Sequence, residues 1–453
     1  MALWTGLPVS GIILSALHGW CTPAEAGRSQ PACLILARGQ ACGENAQEVP
    51  VQRHERYPEN FAAHTPISKR ARDIRPFLAM DVLERAQAIE RDTGVAVIHL
   101  EVGEPDFATP PAIVEAAARA MQDGDTHYTH SLGLVELREA IAAWYHAQYN
   151  VHVSPDQIVV TPGSSAAILL VLAALLDPGD EVILSDPRYA CYPNFIRLFD
   201  GVAVDVPVDE AEGFQYTADQ VQTHLTPCTK AIFINSPSNP AGTLLAAAEM
   251  ARLADLGPVV ISDEIYHGLV YEERAHSILE YSDRAFVLNG FSKLFAMTGW
   301  RLGYVIAPPP YVRSLQKIQQ NLFISAGAFV QRAGIAALRQ AAPEVRHMVE
   351  IYNQRRHVML AGLRDIGFGV AHDPTGAFYV FANATRFSCE SHALAFEILE
   401  HAKVAVAPGI DFGPHGEGYL RFSYANSLEN IQEGLRRLEQ YLVHRMPYEG
   451  AEG

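Results

Sequence analysis

Lys293 is one of only five lysines in the chain, the others being Lys69, Lys230, Lys317 and Lys403. It stands in Ser292-Lys293-Leu-Phe-Ala-Met-Thr-Gly-Trp-Arg301-Leu-Gly303, directly after a β-rich run from Ala285 to Asn289. An amine among small and apolar residues at a strand end is partly desolvated. Desolvation lowers its pKa and favours the neutral form that attacks a carbonyl carbon. The alternative is a surface lysine, the usual place for this residue type. The other four fit worse: Lys69 lies near the N-terminal segment, Lys230 starts a strand, Lys317 sits in a Gln-rich helix and Lys403 precedes an edge-like run.

Three further groups follow predicted strands, the position at which open α/β sheets bind ligands. Gly163-Ser164-Ser165 follows Ile158 to Thr161 and opens a long apolar helix, so hydroxyls and backbone N–H groups meet at a helix N-terminus suited to phosphate. Ordinary N-capping by either serine is the competing reading. Asn235-Ser-Pro-Ser-Asn239-Pro-Ala-Gly242 follows the run from Ala231; two X-Pro bonds and a glycine stiffen it and aim Asn239 above the sheet, although turns of this composition are common. Asp263 ends the run from Val259, with Tyr266 one turn later. A carboxylate there needs a partner, unless it is a helix cap.

The elements that must position these residues alternate along the chain. Short β-rich runs at Ile158 to Thr161, Val182 to Ser185, Ala231 to Asn235, Val259 to Ser262, Ala285 to Asn289 and Arg301 to Ile306 are separated by helical stretches. That pattern predicts a mainly parallel sheet covered by helices. Upstream, Phe77, Met80, Leu83 and Ala86 read as the apolar stripe of a helix, and Val95 to Val102 as a short strand. After about Ser325 come long helical segments with strands at Gly376 to Phe381 and Tyr419 to Ser423, a smaller α+β unit. Residues 1 to about 65 show no sustained periodicity and are expected to be a disordered extension. Their apolar stretch Gly6 to Trp20 is too short to span a bilayer, and no Lys or Arg precedes it as a secretory leader requires.

Composition narrows the chemistry. Of 453 residues, 51 are acidic and 34 basic, a net charge of -17 that opposes nucleic acid or an anionic membrane as a partner. The six cysteines form no C-x-x-C pair, so neither a zinc site nor a disulfide framework is indicated and a reducing, cytoplasmic setting is expected. No metal is expected. The chain lacks H-E-x-x-H, Walker A, G-x-S-x-G and G-x-G-x-x-G patterns, which removes the commonest hydrolase and nucleotide readings.

Phe291-Ser292-Lys293 through Gly303 resembles the cofactor-lysine signature of the class I/II aminotransferases, pyridoxal-phosphate enzymes of fold type I. Other landmarks of that family stand in order: Gly103-Glu-Pro-Asp-Phe107, Tyr128-Thr129 with Gly133 and Glu136-Leu-Arg138, Asn239-Pro-Ala-Gly, Asp263-Glu-Ile-Tyr266, and Pro408-Gly409 followed by Arg421-Phe-Ser. The resemblance covers about residues 66 to 445. The resemblance implies an α/β fold of the aspartate aminotransferase type: an arm and part of the small domain over 66–105, a large cofactor domain with a mainly parallel sheet over 106–325, and a smaller α+β domain over 326–445.

The resemblance also implies residue roles. Lys293 would hold pyridoxal 5'-phosphate as an imine and carry the proton; Asp263 would pair with the pyridine nitrogen, and Asn239 and Tyr266 with the ring oxygen. Tyr189 matches the aromatic position that stacks on the ring, a core tyrosine being its alternative. Ser164, Ser165, Ser292 and Arg301 would hold the phosphate, joined by Tyr128 from a second subunit of a homodimer with shared active sites. Arg421 would clamp the substrate α-carboxylate as a bidentate pair, assisted by Gly103. Arg188, beside Tyr189, is a candidate for a second carboxylate. The implied reaction moves an amino group from an L-amino acid, with aspartate, aromatic and alanine donors all open, to a 2-oxo acid by a ping-pong route. A β-lyase on the same scaffold and a ligand-sensing regulatory module are the alternatives.

Overall fold

The computed structural model describes residues 67–445. The expectations for residues 1 to about 65, including the Gly6 to Trp20 stretch, lie outside the described residues.

The chain enters through a short helix, Lys69–Asp73, and a longer one, Leu78–Thr93, that ends at Gly94 in the left-handed region (φ 70°). The longer helix buries Ala79, Val82, Ala86 and Ile89. Of the stripe read from the sequence, only Ala86 belongs to that face, because Phe77, Met80 and Leu83 line a cavity instead. The strand expected over Val95 to Val102 shrinks to β1 (Ile98–His99), which finds only a two-residue partner, β10 (Val404–Ala405), in parallel.

The main sheet has seven strands: β2 (Ile158–Thr161), β3 (Glu181–Asp186), β4 (Val202–Pro207), β5 (Thr229–Asn235), β6 (Val259–Asp263), β7 (Phe286–Gly290) and β8 (Gly303–Ile306). Their spatial order is β2-β8-β7-β6-β5-β3-β4. Neighbours from β7 through β4 pair in parallel, and β8 runs antiparallel to both β2 and β7. The sheet is therefore mainly parallel, as the alternation predicts. The central strands β6 and β7 are buried along nearly their whole length and read as largely apolar runs, the sign of a sheet covered on both faces. Edge strand β4 was absent from the sequence reading, and its outer position explains why: Val202 and Pro207 are exposed and Asp205 interrupts the pattern.

Beyond the main sheet, the helices Pro309–Leu322, Ala328–Gln340 and Ala342–Ile366 lead to a second, antiparallel sheet of β9 (Tyr379–Asn383), β11 (Ala407–Pro408) and β12 (Tyr419–Ser423), in the order β11-β12-β9. The strand expected over Gly376 to Phe381 starts later, because Gly376 packs against Pro237 where a Cβ would lie 2.5 Å from its Cγ. No helix among the described residues is long and apolar enough to cross a membrane.

Candidate active site

The carboxyl ends of β2, β3, β5, β6 and β7 open into one cavity of about 370 Å³, walled on its far side by Tyr379 and Arg421 from the small sheet. Volume alone would choose elsewhere: a groove of about 730 Å³ beside Ser68, Arg70 and Arg197 holds none of the residues selected from the sequence.

Asp263 is 5% exposed at the end of β6. Its carboxylate accepts from the Tyr192 hydroxyl at 2.7 Å and from the Ile265 N–H at 3.2 Å. Burial nonetheless pushes its pKa up to about 6, and the hydrogen bonds and Lys293 only partly oppose this. Lys293 lies in the turn after β7, and its Nζ donates to the Gly103 carbonyl at 2.5 Å. Desolvation brings the amine down to about 8; Glu104 pulls it back up, whereas Arg421 and Arg301 push the same way as burial. A buried carboxylate and a lowered amine thus share the cavity.

Arg421 on β12 is buried, donating through Nη1 to Asn239 Oδ1 at 2.9 Å and through Nη2 to the Glu101 carbonyl. Its guanidinium lies over the Tyr379 ring at 4.4 Å, and its Nε has no hydrogen-bond partner. An orphaned donor on a buried guanidinium invites an anion. Asn239 is fixed by its own N–H, which donates to Asn235 Oδ1 at 2.8 Å, and because its side-chain oxygen faces Arg421 the amide nitrogen is left to donate. Tyr266 and Tyr379 share a hydrogen bond between hydroxyls at 2.9 Å.

Ser164 and Ser165 begin the helix Ser164–Leu175, but Gly163 is its N-cap and no side chain caps it. Neither serine is spent on capping, so the first-turn N–H groups face the cavity with two hydroxyls beside them. Arg301 closes this corner: a Cβ on Gly163 would stand 2.5 Å from its Nη2. Arg301 has φ 55° and precedes β8, which is why the strand expected from Arg301 starts at Gly303. Ser292 also lines the cavity.

Two sequence candidates do not join this group. Arg188 is buried away from the cavity, tied to Asp186 at 3.3 Å and Asp205 at 3.1 Å, which corrects its candidacy for a second carboxylate. Tyr128 is 80% exposed and does not line the cavity of its own chain. Tyr189 does line it, edge-on to Phe77 with centroids 6.0 Å apart. The sequence reading missed Tyr192, Tyr379 and Glu104. Tyr192 stands three residues beyond Tyr189 at a helix start, a spacing that could have marked it.

The family profile described as aminotransferase class I and II matches residues 95–438. The chain belongs to the class I and II aminotransferases. It is similar to the (5-formylfuran-3-yl)methyl phosphate transaminase of Methanocaldococcus jannaschii, with 41% identity over 83% of this chain and 99% of that one. It is also similar to the aspartate aminotransferase of Pyrococcus horikoshii, with 36% identity over 83% and 97% of the two chains. Among solved structures, the aspartate aminotransferase of Thermus thermophilus with maleate superposes with a TM-score of 0.80 at 35% identity, over 83% of this chain and all of that one. This aminotransferase therefore uses pyridoxal 5'-phosphate. Its cavity fits the group: uncapped helix N–H groups and Arg301 suit the phosphate, a lowered amine suits the aldehyde, and a buried carboxylate needs a cationic neighbour.

Proposed function

We propose that this aminotransferase moves the amino group of an L-amino acid to a 2-oxo acid by a ping-pong route, with Lys293 as the cofactor lysine and proton carrier. The single observation behind this reading is the joint presence of the lowered Lys293 amine and the orphaned Arg421 Nε in one cavity above Asp263. When bound, pyridoxal phosphate supplies an aldehyde carbon for the amine and a ring that accepts the electron pair left on the substrate α-carbon.

The residues divide the remaining work. Arg421 takes the α-carboxylate with its free edge while Asn239 and the Glu101 carbonyl hold its other nitrogens, a fixed fork that lysine cannot copy. That grip would turn the α-hydrogen toward Lys293, among the described residues the only lysine lining the cavity, whose lowered pKa eases loss of its proton and makes it the group to accept and return one. Asp263, its carboxylate fixed by Tyr192, would keep the ring nitrogen protonated. Asn239 and Tyr266 would donate to the ring oxygen, Tyr189 would cover the ring, and Ser164, Ser165, Ser292 and Arg301 would hold the phosphate, all of them lining the cavity. The Gly103 backbone supports the carboxylate site.

The reading extends to the assembly: a homodimer in which Tyr128 of each subunit completes the other's phosphate site. Within a chain, 106–325 would be a large cofactor domain built on the seven-stranded sheet, 66–105 an arm and part of the small domain, and 326–445 the smaller C-terminal domain. A cytoplasmic setting suits the free thiols of Cys191, Cys228 and Cys389.

The test offers the loaded protein a panel of L-amino acids with 2-oxoglutarate or pyruvate. One 2-oxo acid should form for each amino acid newly made from the acceptor. Keto acid accompanied by free ammonia, with the acceptor unchanged, would make the enzyme a lyase and end this reading.

A further inference from the structure

We infer that this enzyme selects donors with apolar or aromatic side chains over donors whose side chains carry a carboxylate. The inference rests on the proposed function, because it assumes that Arg421 takes the α-carboxylate.

Charge comes first. Lys293, Arg301 and Arg421 are the cations that line the cavity among the described residues, and each is committed, to the aldehyde, the phosphate and the α-carboxylate respectively. Arg188 is paired with Asp186 and Asp205 and does not line the cavity, so it is not placed to meet a second carboxylate there. The cavity wall carries Glu104 instead, an exposed carboxylate that accepts from the Thr298 hydroxyl and would repel an acidic side chain.

Shape and apolarity point the same way. Phe77, Met80 and Leu83, at the start of the helix Leu78–Thr93, line the mouth of the cavity. Met80 is 43% exposed there while its neighbours Ala79 and Val82 are in the core. Apolar surface held open to water is unfavourable until something apolar covers it. The wall is also fixed: the Asp411 carboxylate accepts from the Leu78 and Ala79 N–H groups, each at 3.0 Å, and Phe77 sits edge-on to Tyr189. A phenyl or branched aliphatic side chain attached to a carbon held by Arg421 would lie on this wall.

The experiment uses the full-length enzyme loaded with pyridoxal phosphate and one amino acid at a time, without acceptor, following loss of the pyridoxal absorbance. The expected kcat/KM for phenylalanine exceeds that for aspartate by about 100-fold, and that for alanine falls between them. A readout without turnover is the dissociation constant of two amine-free analogues. 3-Phenylpropionate should bind at least about tenfold more tightly than succinate. Met80→Arg should then raise aspartate relative to phenylalanine by about tenfold, a ratio that partial misfolding does not move. Aspartate faster than phenylalanine, with succinate the tighter ligand, would overturn the inference and show that another cation reaches the cavity. No bleaching by any amino acid would instead overturn the proposed function.

Discussion

Burial acts oppositely on the two central ionisable groups. It leaves Asp263 carrying an unfavourable charge at neutral pH and eases loss of the Lys293 proton by bringing the amine down to about 8. For Asp263 the folded pKa of about 6 lies above the ordinary 3.8, so its contribution to stability is fully present below about pH 4 and is lost as pH rises through 6. Asp263→Asn keeps the shape without the charge. Without cofactor, the variant should therefore melt a few degrees above the unmutated protein at pH 7.5, with the gap closing by pH 4, as thermal unfolding would show. With cofactor the order reverses in function, since the ring nitrogen loses its counter-charge. Breaking such a buried pair costs roughly 3 to 5 kcal/mol, which slows transamination by about two to four orders of magnitude. Near-normal turnover by Asp263→Asn would mean that the carboxylate only caps the turn after β6. Lys293, Asp263, Asn239 and Arg421 were legible because each stands at or just beyond a recognisable strand, or within one, in a family motif. Tyr192, Tyr379 and Glu104 were not, because a tyrosine or glutamate gains its role only from what the fold sets against it: Asp263, Tyr266 and Lys293 respectively.

At the level of elements, the phosphate corner depends on two glycines more than on any side chain. Gly163 caps the helix Ser164–Leu175 at φ 90°, and Gly303 opens β8 against it. A Cβ on Gly303 would stand 2.6 Å from both Gly163 C and Ser164 N, backbone atoms that cannot swing aside. Gly303→Ala should therefore displace the helix N-terminus from the phosphate site. Overpacking of this kind costs about 1 to 3 kcal/mol, so the dissociation constant for pyridoxal phosphate should rise roughly 5- to 150-fold in a fluorescence titration, with the secondary structure retained. Unaltered affinity would place the phosphate elsewhere. The same elements explain the sequence reading's uneven success. Central parallel strands announce themselves as continuous apolar runs, whereas β4 is an edge strand with polar interruptions. Apolar spacing marks the helix Leu78–Thr93 but not its buried face: Ala79, Val82, Ala86 and Ile89 enter the core, whereas Met80 and Leu83 line the cavity. Periodicity detects apolar residues; it does not say whether a core or a ligand will cover them.

For the whole molecule, the question is whether one chain makes a complete site. Tyr128 belongs to the family's motif order, yet in its own chain it is 80% exposed and outside the cavity, a costly place for a large aromatic unless another surface covers it. In the proposed homodimer each Tyr128 reaches the other subunit's phosphate corner, and that proposal predicts complementation between two defective subunits. Lys293→Ala removes the amine, and Tyr128→Phe removes a phosphate hydroxyl; each homodimer should be impaired at both of its sites. In a mixed dimer with shared sites, the Lys293→Ala cavity receives the altered residue from its partner and is doubly defective. The other cavity keeps Lys293 and receives an intact Tyr128. Random reassembly makes about half of the dimers mixed, each with one good site of two, so activity should recover to about a quarter of the unmutated value after refolding an equal mixture. If Tyr128 acted within its own chain, neither cavity of the mixed dimer would be complete and mixing would add nothing beyond the mean of the two homodimers. A fully active monomer by light scattering at assay concentration would equally exclude the shared site, whereas recovery that grows with the time allowed for subunit exchange would tie the activity to the mixed species itself.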